Sequence, residues 1–97
     1  MTSQVVMVTG ASAGIGRATA LAFAARGARI GLLARGAAGL EGARQEVLRA
    51  GGEAIALQAD VADADRVDRS ATTLEETFGP IDVWVNNATA TVMSPVA

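Results

Sequence analysis

The sequence predicts an α/β fold, a doubly wound parallel sheet covered by helices, and two observations support this prediction. Four apolar runs rich in valine, isoleucine and leucine lack polar alternation, which is typical of parallel strands that are covered on both faces. Longer helical stretches separate these runs, so the predicted order is β-α-β-α-β-α-β. Right-handed crossovers then fix the side of the sheet that each helix covers.

Each predicted strand is a short apolar run between turns or helices. The predicted strands are Val5–Thr9, Arg29–Ala34, Ala54–Ala59 and Ile81–Asn86. A doubly wound sheet gives these four strands the expected order 3-2-1-4, which leaves the fourth strand at one edge. Because such sheets normally have six strands, we expect residues 1–97 to be a partial domain.

The predicted helices are Gly14–Arg26, Leu40–Ala50 and a third that runs from the N-cap Asp63 to about Phe78. Glycine follows each of them, at Gly27, Gly51 and Gly79. Helical spacing predicts the positions that face the sheet. They are Ala18, Ala22 and Ala25 in the first helix, Leu40, Ala43, Val47 and Leu48 in the second, and Val67, Ala71, Leu74 and Phe78 in the third.

Composition excludes several classes of function. A net charge of -2 provides no basic field for nucleic acid. No apolar run reaches the roughly 20 residues of a membrane helix, and MTSQVV does not resemble a signal peptide. The absence of cysteine excludes thiolate metal sites and is compatible with a reducing cytoplasm, which is the expected location. We expect no bound metal.

The residue types available for catalysis are few. The sequence has no histidine, cysteine, tyrosine or lysine, and all eight of its cationic side chains are arginines. Ten carboxylates are therefore the side chains left for general acid–base work, and nucleophile–base pairs of serine or cysteine with histidine are excluded.

Three glycines follow the first strand and open the first helix. Gly10 would let the chain turn sharply, Gly14 would let the backbone approach a pyrophosphate, and Gly16 would let the helix pack tightly on the strand. The first amides of the helix and its dipole would then face an anion. The alternative is a plain strand-to-helix turn, but three glycines inside a βαβ unit favour nucleotide binding.

The glycine motif reads TGASAGIG, with the spacing G-x-x-x-G-x-G, and three more stretches accompany it. They are Ala34-Arg35, Asp60-Val61 and Asn86-Asn87-Ala88, each at the end of a predicted strand. In this order the motifs resemble the short-chain dehydrogenase/reductase family over essentially the whole chain. The resemblance implies a Rossmann-type, NAD(P)-binding domain. The spacing disfavours the related epimerase-like branch, and a missing acidic residue after the second strand disfavours a methyltransferase.

The end of the second strand predicts the choice of nicotinamide cofactor. NAD-binding sheets of this type carry an acidic residue there, whereas this chain has Ala34 followed by Arg35. A guanidinium pairs with phosphate in a fork, so the sequence favours NADP over NAD. Ser12 could add a hydroxyl contact. Ala13 tempers the prediction, because NADP-binding relatives often have a basic residue there, and Arg35 could instead be a solvated arginine.

The resemblance also implies roles for the later motifs. Asp60 would accept a hydrogen bond from the adenine amino group with Val61 beside it, although Asp60 could simply shape a turn. Asn86 would tie neighbouring strands together, and the backbone at Asn87 and Ala88 would border the nicotinamide ribose. The predicted cofactor-binding residues are Gly10, Ser12, Ala13, Gly14, Ile15, Gly16, Arg35, Asp60, Val61, Asn87 and Ala88.

The activity that the resemblance implies is hydride transfer between nicotinamide and an alcohol or carbonyl, usually in an oligomeric enzyme. The family uses a tyrosine, a lysine four residues later, a serine and an asparagine beyond the fourth strand. This sequence has no tyrosine or lysine, so we predict no catalytic residue within it and expect the C-terminal catalytic half to be absent. The alternatives are a non-catalytic nucleotide-binding module or a non-functional remnant of a shortened gene.

Overall fold

The computed structural model describes residues 3–87, which form a four-stranded parallel sheet and three helices. The strands are β1 Val5–Thr9, β2 Arg29–Ala34, β3 Glu53–Gln58 and β4 Val83–Asn86. The helices are α1 Gly14–Ala24, α2 Ala37–Ala50 and α3 Ala64–Phe78. The strand order is β3-β2-β1-β4, which confirms the predicted fold class and strand order.

Helices cover both faces of the sheet. On one face, β-strand residues such as Val8, Ile30 and Leu32 pack with α1 and α2. On the other face, Met7 and Leu33 pack with α3. Successive side chains of a strand point to opposite faces of the sheet, and helices cover both faces. The strands β1 and β2 are therefore buried along their whole length, except for the partly exposed Arg29.

The outer strands differ from the prediction that no strand alternates. Partly covered and exposed side chains alternate along β4, and β3 mixes buried and exposed side chains without strict alternation. These two strands are the edges of the sheet within residues 3–87. Trp84 on β4 is 44% exposed, although its neighbour in register on β1, Met7, is fully buried. Apolar composition alone therefore did not separate central strands from edge strands.

The predicted sheet-facing stripe of α1 is wrong. Ala18, Ala22 and Ala25 are exposed, and the buried positions of the helix are Gly16, Ala20 and Ala24. Alanine is so frequent in this helix that helical spacing fits either stripe. Contact between Gly16 and the end of β1 selects the second one, because a side chain at position 16 would overlap the backbone of Gly10.

The other two helices follow the predicted stripes with one exception. Leu40, Ala43 and Val47 of α2 are buried, but Leu48 is 45% exposed because it lies about 100° around the helix from Val47. In α3, Leu74 is fully buried and its predicted neighbours pack around it. Those neighbours are Val67, Ala71 and Phe78.

Element boundaries differ from the predicted ones near turns. The helix α2 begins three residues earlier than predicted, at Ala37, after Gly36 as N-cap. The strand β4 begins two residues later than predicted, at Val83. Asp63 caps α3 as predicted, because its side chain accepts a hydrogen bond of 3.2 Å from the Arg66 N–H.

Candidate functional site

An open cleft of about 940 Å³ lies where the carboxyl ends of the parallel strands meet the N-terminus of α1. Ligands of doubly wound sheets bind at this edge, where the strand order reverses between β1 and β4. The cleft is lined by Gly10, Ser12, Ala13, Ile15, Gly16, Ala34, Arg35, Gly36, Ala59, Asp60, Val61, Asn86 and Asn87.

The structure brings almost all the predicted cofactor-binding residues to this cleft. Two predicted residues are missing from its lining. Gly14 lies in the same loop, at the first position of α1. Ala88 lies outside the described residues, so its predicted place beside a nicotinamide ribose is not described.

The three motif glycines meet three different geometric requirements. Gly10 has φ +63°, and a Cβ atom there would lie 2.7 Å from the Asn87 carbonyl oxygen. Gly14 has φ +58°, and no described atom lies within 4 Å of the Cβ position, so its backbone is open to a ligand. A Cβ atom on Gly16 would overlap the Gly10 carbonyl oxygen and lie 2.8 Å from its carbon. The turn at Gly10 and the close packing at Gly16 match the roles that the sequence predicts for these two residues.

The N-terminus of α1 faces the cleft with its dipole uncompensated. Its N-cap, Ala13, has no side chain that could cap the helix amides, and the first turn contains no acidic residue. The free amides and the positive end of the dipole therefore attract a negatively charged group. This end of the cleft is suited to a phosphate.

Arg17 fixes the motif loop from behind, a role that the sequence did not reveal. Its Nη1 atom donates to the Ser12 carbonyl oxygen at 3.2 Å, and its Nε atom donates to Glu46 Oε1 of α2 at 2.8 Å. This hydrogen bond lowers the pKa of Glu46. The helix α2 approaches the loop closely, since a Cβ atom on Gly39 would lie 2.9 Å from the Cβ of Ser12. The partner lies 29 positions away in sequence, so no local pattern predicts the pair.

A buried hydroxyl joins the ends of β1 and β4. Thr9 is 2% exposed, and its Oγ1 donates to Asn86 Oδ1 at 2.9 Å while accepting from the Asn87 N–H at 3.0 Å. Asn86 therefore connects neighbouring strands, as the family resemblance implies. Thr9 belongs to the quoted motif, but no local pattern in the sequence predicts its part in this connection.

Replacing Thr9 with valine is expected to destabilise the fold by about 1–3 kcal/mol, because the Asn86 side chain and the Asn87 N–H lose a buried partner. Replacing Thr9 with serine keeps the hydroxyl and is expected to cost less than the valine variant. Urea unfolding followed by circular dichroism measures both variants. Equal midpoints for the two variants would contradict a hydrogen-bonding role for the hydroxyl.

Asn87 places an unused hydrogen-bond donor at the cleft. Its Nδ2 atom is buried and has no hydrogen-bond partner among residues 3–87. A buried donor without a partner costs free energy, and a ligand that accepts a hydrogen bond would remove this cost. This donor, the open backbone at Gly14 and the uncapped end of α1 are features that suit a polar, phosphorylated ligand.

The opposite end of the cleft carries one positive and one negative side chain. Arg35 follows β2, and its Nη1 atom lies 3.8 Å from Asp60 Oδ2. The other carboxylate oxygen of Asp60 accepts from the Ala62 N–H at 2.9 Å. Asp60 thus shapes the turn that follows β3, as the plainer interpretation of the sequence proposed, and it also faces the cleft.

Two apolar side chains at the cleft are exposed. Ile15 is 77% exposed and Val61 is 43% exposed. Val61 follows Asp60 at the Arg35 end of the cleft, and Ile15 lies in the first turn of α1. Apolar side chains left uncovered at a polar cleft can pack against the flat faces of a ligand's rings.

Neither a metal centre nor a membrane-spanning helix is found in the described part of the chain. Residues 3–87 contain no group of three or more acidic, histidine or cysteine side chains that could hold a metal ion. None of the helices in this range is long and apolar enough to cross a membrane.

The profile of the family described as "short chain dehydrogenase" matches residues 4–97 of this sequence. The chain belongs to this family. The resemblance predicted cofactor-binding residues that include most of those lining this cleft, and family membership supports binding of a nicotinamide dinucleotide.

Individual relatives agree with this assignment. A 3-oxoacyl-[acyl-carrier-protein] reductase of Synechocystis sp. is 49% identical over 89 residues, which cover 91% of this chain and 36% of the reductase. An actinorhodin polyketide ketoreductase solved with NADPH is 38% identical with a TM-score of 0.86, over 91% of this chain and 34% of that one. An NADH-dependent reductase complexed with NAD is 31% identical with a TM-score of 0.82, over 92% and 37%.

The relatives differ from this chain in length and from one another in the cofactor they bind. The chain spans about a third of the length of the curated relatives that it matches. The solved neighbours include both an NADPH complex and an NAD complex, so similarity alone does not decide between the two cofactors.

Proposed function

We propose that this chain is the cofactor-binding part of an NADP-dependent short-chain dehydrogenase/reductase. The complete enzyme would transfer a hydride between the nicotinamide and an alcohol or carbonyl substrate. The observation that carries the choice of NADP is the end of β2, where Ala34 is followed by Arg35 at the cleft. The family and its oxidoreductase relatives favour this function over a non-catalytic module.

Arg35 is suited to bind the 2′-phosphate that distinguishes NADP from NAD. Its side chain is 80% exposed at the cleft, so its guanidinium donors are accessible to a ligand. Ala34 removes the carboxylate that would repel the phosphate, and Ser12 lines the same cleft with a hydroxyl. A guanidinium forms paired, charge-assisted hydrogen bonds with a phosphate group.

The other cleft residues would hold the rest of the dinucleotide. The amides after Ala13 and the open backbone of Gly14 would bind the pyrophosphate. Asp60 and Val61 would contact the adenine, with the carboxylate accepting from the amino group. Asn87 would border the nicotinamide ribose and use its free amide donor there.

The chemistry supplied by a bound nicotinamide is the gain or loss of a hydride. The chain's own residues at the cleft would position this group. The family resemblance implies that a tyrosine activated by a lysine transfers the proton to or from the substrate oxygen, and the sequence contains neither residue type. We therefore propose that the 97-residue chain binds cofactor but catalyses no turnover. From the family resemblance, we also propose that the complete enzyme forms homo-oligomers.

Calorimetric titration of the chain with NADP and with NAD tests the proposed cofactor choice. We expect NADP to bind about tenfold more tightly, which corresponds to one charge-assisted phosphate contact at an exposed site. A parallel assay of NADPH oxidation with a panel of ketones and aldehydes should show no rate above the blank. Equal affinities would overturn the proposed cofactor, and turnover by the chain would overturn its proposed inactivity.

A further inference from the structure

The ion pair between Arg35 and Asp60 joins the two positions that are proposed to bind the adenosine end of the cofactor. The distance from Nη1 to Oδ2 is 3.8 Å, and both side chains line the cleft. No other salt bridge within residues 3–87 connects two cleft residues. The guanidinium that is available for a 2′-phosphate therefore already has a negatively charged partner.

The two partners differ in how firmly they are held. Oδ1 of Asp60 accepts from the Ala62 N–H at 2.9 Å, and the backbone of Asp60 accepts from the Asp63 N–H at 2.9 Å, which fixes the carboxylate at the turn. The Arg35 backbone is fixed by a hydrogen bond of 2.9 Å from Gln58 Nε2 to its carbonyl. The Arg35 side chain is 80% exposed, so its guanidinium can move. The Asp60 carboxylate is held in place by its hydrogen bond from Ala62.

A fixed carboxylate beside this guanidinium opposes a phosphate in two ways. It competes for the same donors, and it repels the dianion directly. At equal distance, the repulsion between Asp60 and a 2′-phosphate dianion is about twice as large as the attraction between Asp60 and Arg35, because the phosphate carries about two negative charges. Any gain from holding Arg35 near the cleft is small, because an exposed ion pair orders a long side chain only weakly.

We propose that Asp60 is a second determinant of cofactor choice, which weakens the preference for a 2′-phosphate that Arg35 creates. Its carboxylate holds the guanidinium in the free protein and remains next to the phosphate after binding. This role is separate from the proposed adenine contact of Asp60, because it acts only on ligands that carry the 2′-phosphate. It rests on the proposed function, in which Arg35 reads that phosphate.

The test compares two fragments of the cofactor, adenosine 2′,5′-bisphosphate (2′,5′-ADP) and 5′-AMP, by calorimetric titration of the 97-residue chain. The ratio of their dissociation constants isolates the 2′-phosphate, because an altered adenine contact affects both fragments equally. Asp60→Asn removes the charge but keeps an oxygen that can accept from Ala62. Asp60→Ser is a second variant that can keep the turn, and Asp63→Asn removes a carboxylate from a similar capping role outside the cleft.

We expect Asp60→Asn and Asp60→Ser to increase the preference for 2′,5′-ADP about two- to fivefold, the range that exposed ion pairs span. Asp63→Asn should leave the preference unchanged, and the effect of Asp60→Asn should shrink in an Arg35→Ala background. An unchanged or smaller preference in both Asp60 variants would overturn this role. The proposed NADP specificity fails if the unaltered chain shows no preference for 2′,5′-ADP. The two failures are distinguishable, because the role of Asp60 is read from the variants and the NADP specificity is read from the unaltered chain.

Discussion

Replacing Gly16 with alanine is expected to destabilise the fold by about 3 kcal/mol and to abolish cofactor binding. The added Cβ atom would overlap the carbonyl oxygen of Gly10, which is backbone and cannot move aside as a flexible side chain could. Overpacking of this kind typically costs about 1–3 kcal/mol, and the absence of any free space places this site at the upper end. Because small domains are stable by only about 5–15 kcal/mol, the loss would be plain in urea unfolding followed by circular dichroism.

Two other glycine-to-alanine variants serve as matched controls. Gly36 has no described atom within 4 Å of a Cβ position, so Gly36→Ala should cost less than about 1 kcal/mol. Gly14 has equal space but a positive φ, so Gly14→Ala should cost about 1–2 kcal/mol and place a methyl group where a pyrophosphate is proposed to bind. An unfolding midpoint of Gly16→Ala equal to that of Gly36→Ala would contradict the close packing of α1 on β1.

Replacing Arg35 with aspartate is expected to reverse the choice between 2′-phosphorylated and unphosphorylated cofactor. The variant removes the proposed phosphate donor and places a carboxylate next to Ala34, the position at which NAD-binding sheets carry the acidic residue that holds ribose hydroxyls. The ratio of the dissociation constants for NAD and NADP should change by about 100-fold, because charge-assisted hydrogen bonds are lost and repulsion is gained. Calorimetric titration with both dinucleotides measures this ratio.

The control for this variant is an arginine outside the cleft. Arg49 lies in the last turn of α2 and does not line the cleft, so Arg49→Asp makes the same change of net charge at a distance from the ligand. It should shift the ratio by less than about twofold, through long-range electrostatics alone. If Arg49→Asp and Arg35→Asp shift the ratio equally, Arg35 is not the residue that reads the 2′-phosphate.

The fold could be predicted from the sequence because short stretches of the chain mark its strands and the ends of its helices. The apolar runs gave the strands, and the glycines that follow Arg26, Ala50 and Phe78 gave the helix ends to within a few residues. The sheet-facing side of α1 could not be predicted in this way. Its alanines satisfy several helical stripes, and the choice depends on a steric contact between Gly16 and Gly10 that only the folded chain displays.

The site was predictable to a similar extent and for the same reason. A glycine spacing and the residues at strand ends are read directly from the chain, and the structure gathers them at one cleft. The contacts that support the cleft join residues distant in sequence, namely Arg17 with Glu46, Thr9 with Asn86, and Arg35 with Asp60. The periodicity of the sequence does not predict such pairs, because each pair depends on the packing of two different elements.

The most direct test of cofactor binding at the cleft is a titration of the isotopically labelled chain with NADP and with NAD, followed by amide chemical shifts. We expect shifts at the motif loop from Ser12 to Arg17 and at Asn87 with both cofactors. Shifts at Arg35 and Gly36 should be larger with NADP, because the extra phosphate is proposed to bind there. Shifts confined to surfaces outside the cleft, or identical shifts at Arg35 with the two cofactors, would contradict these expectations.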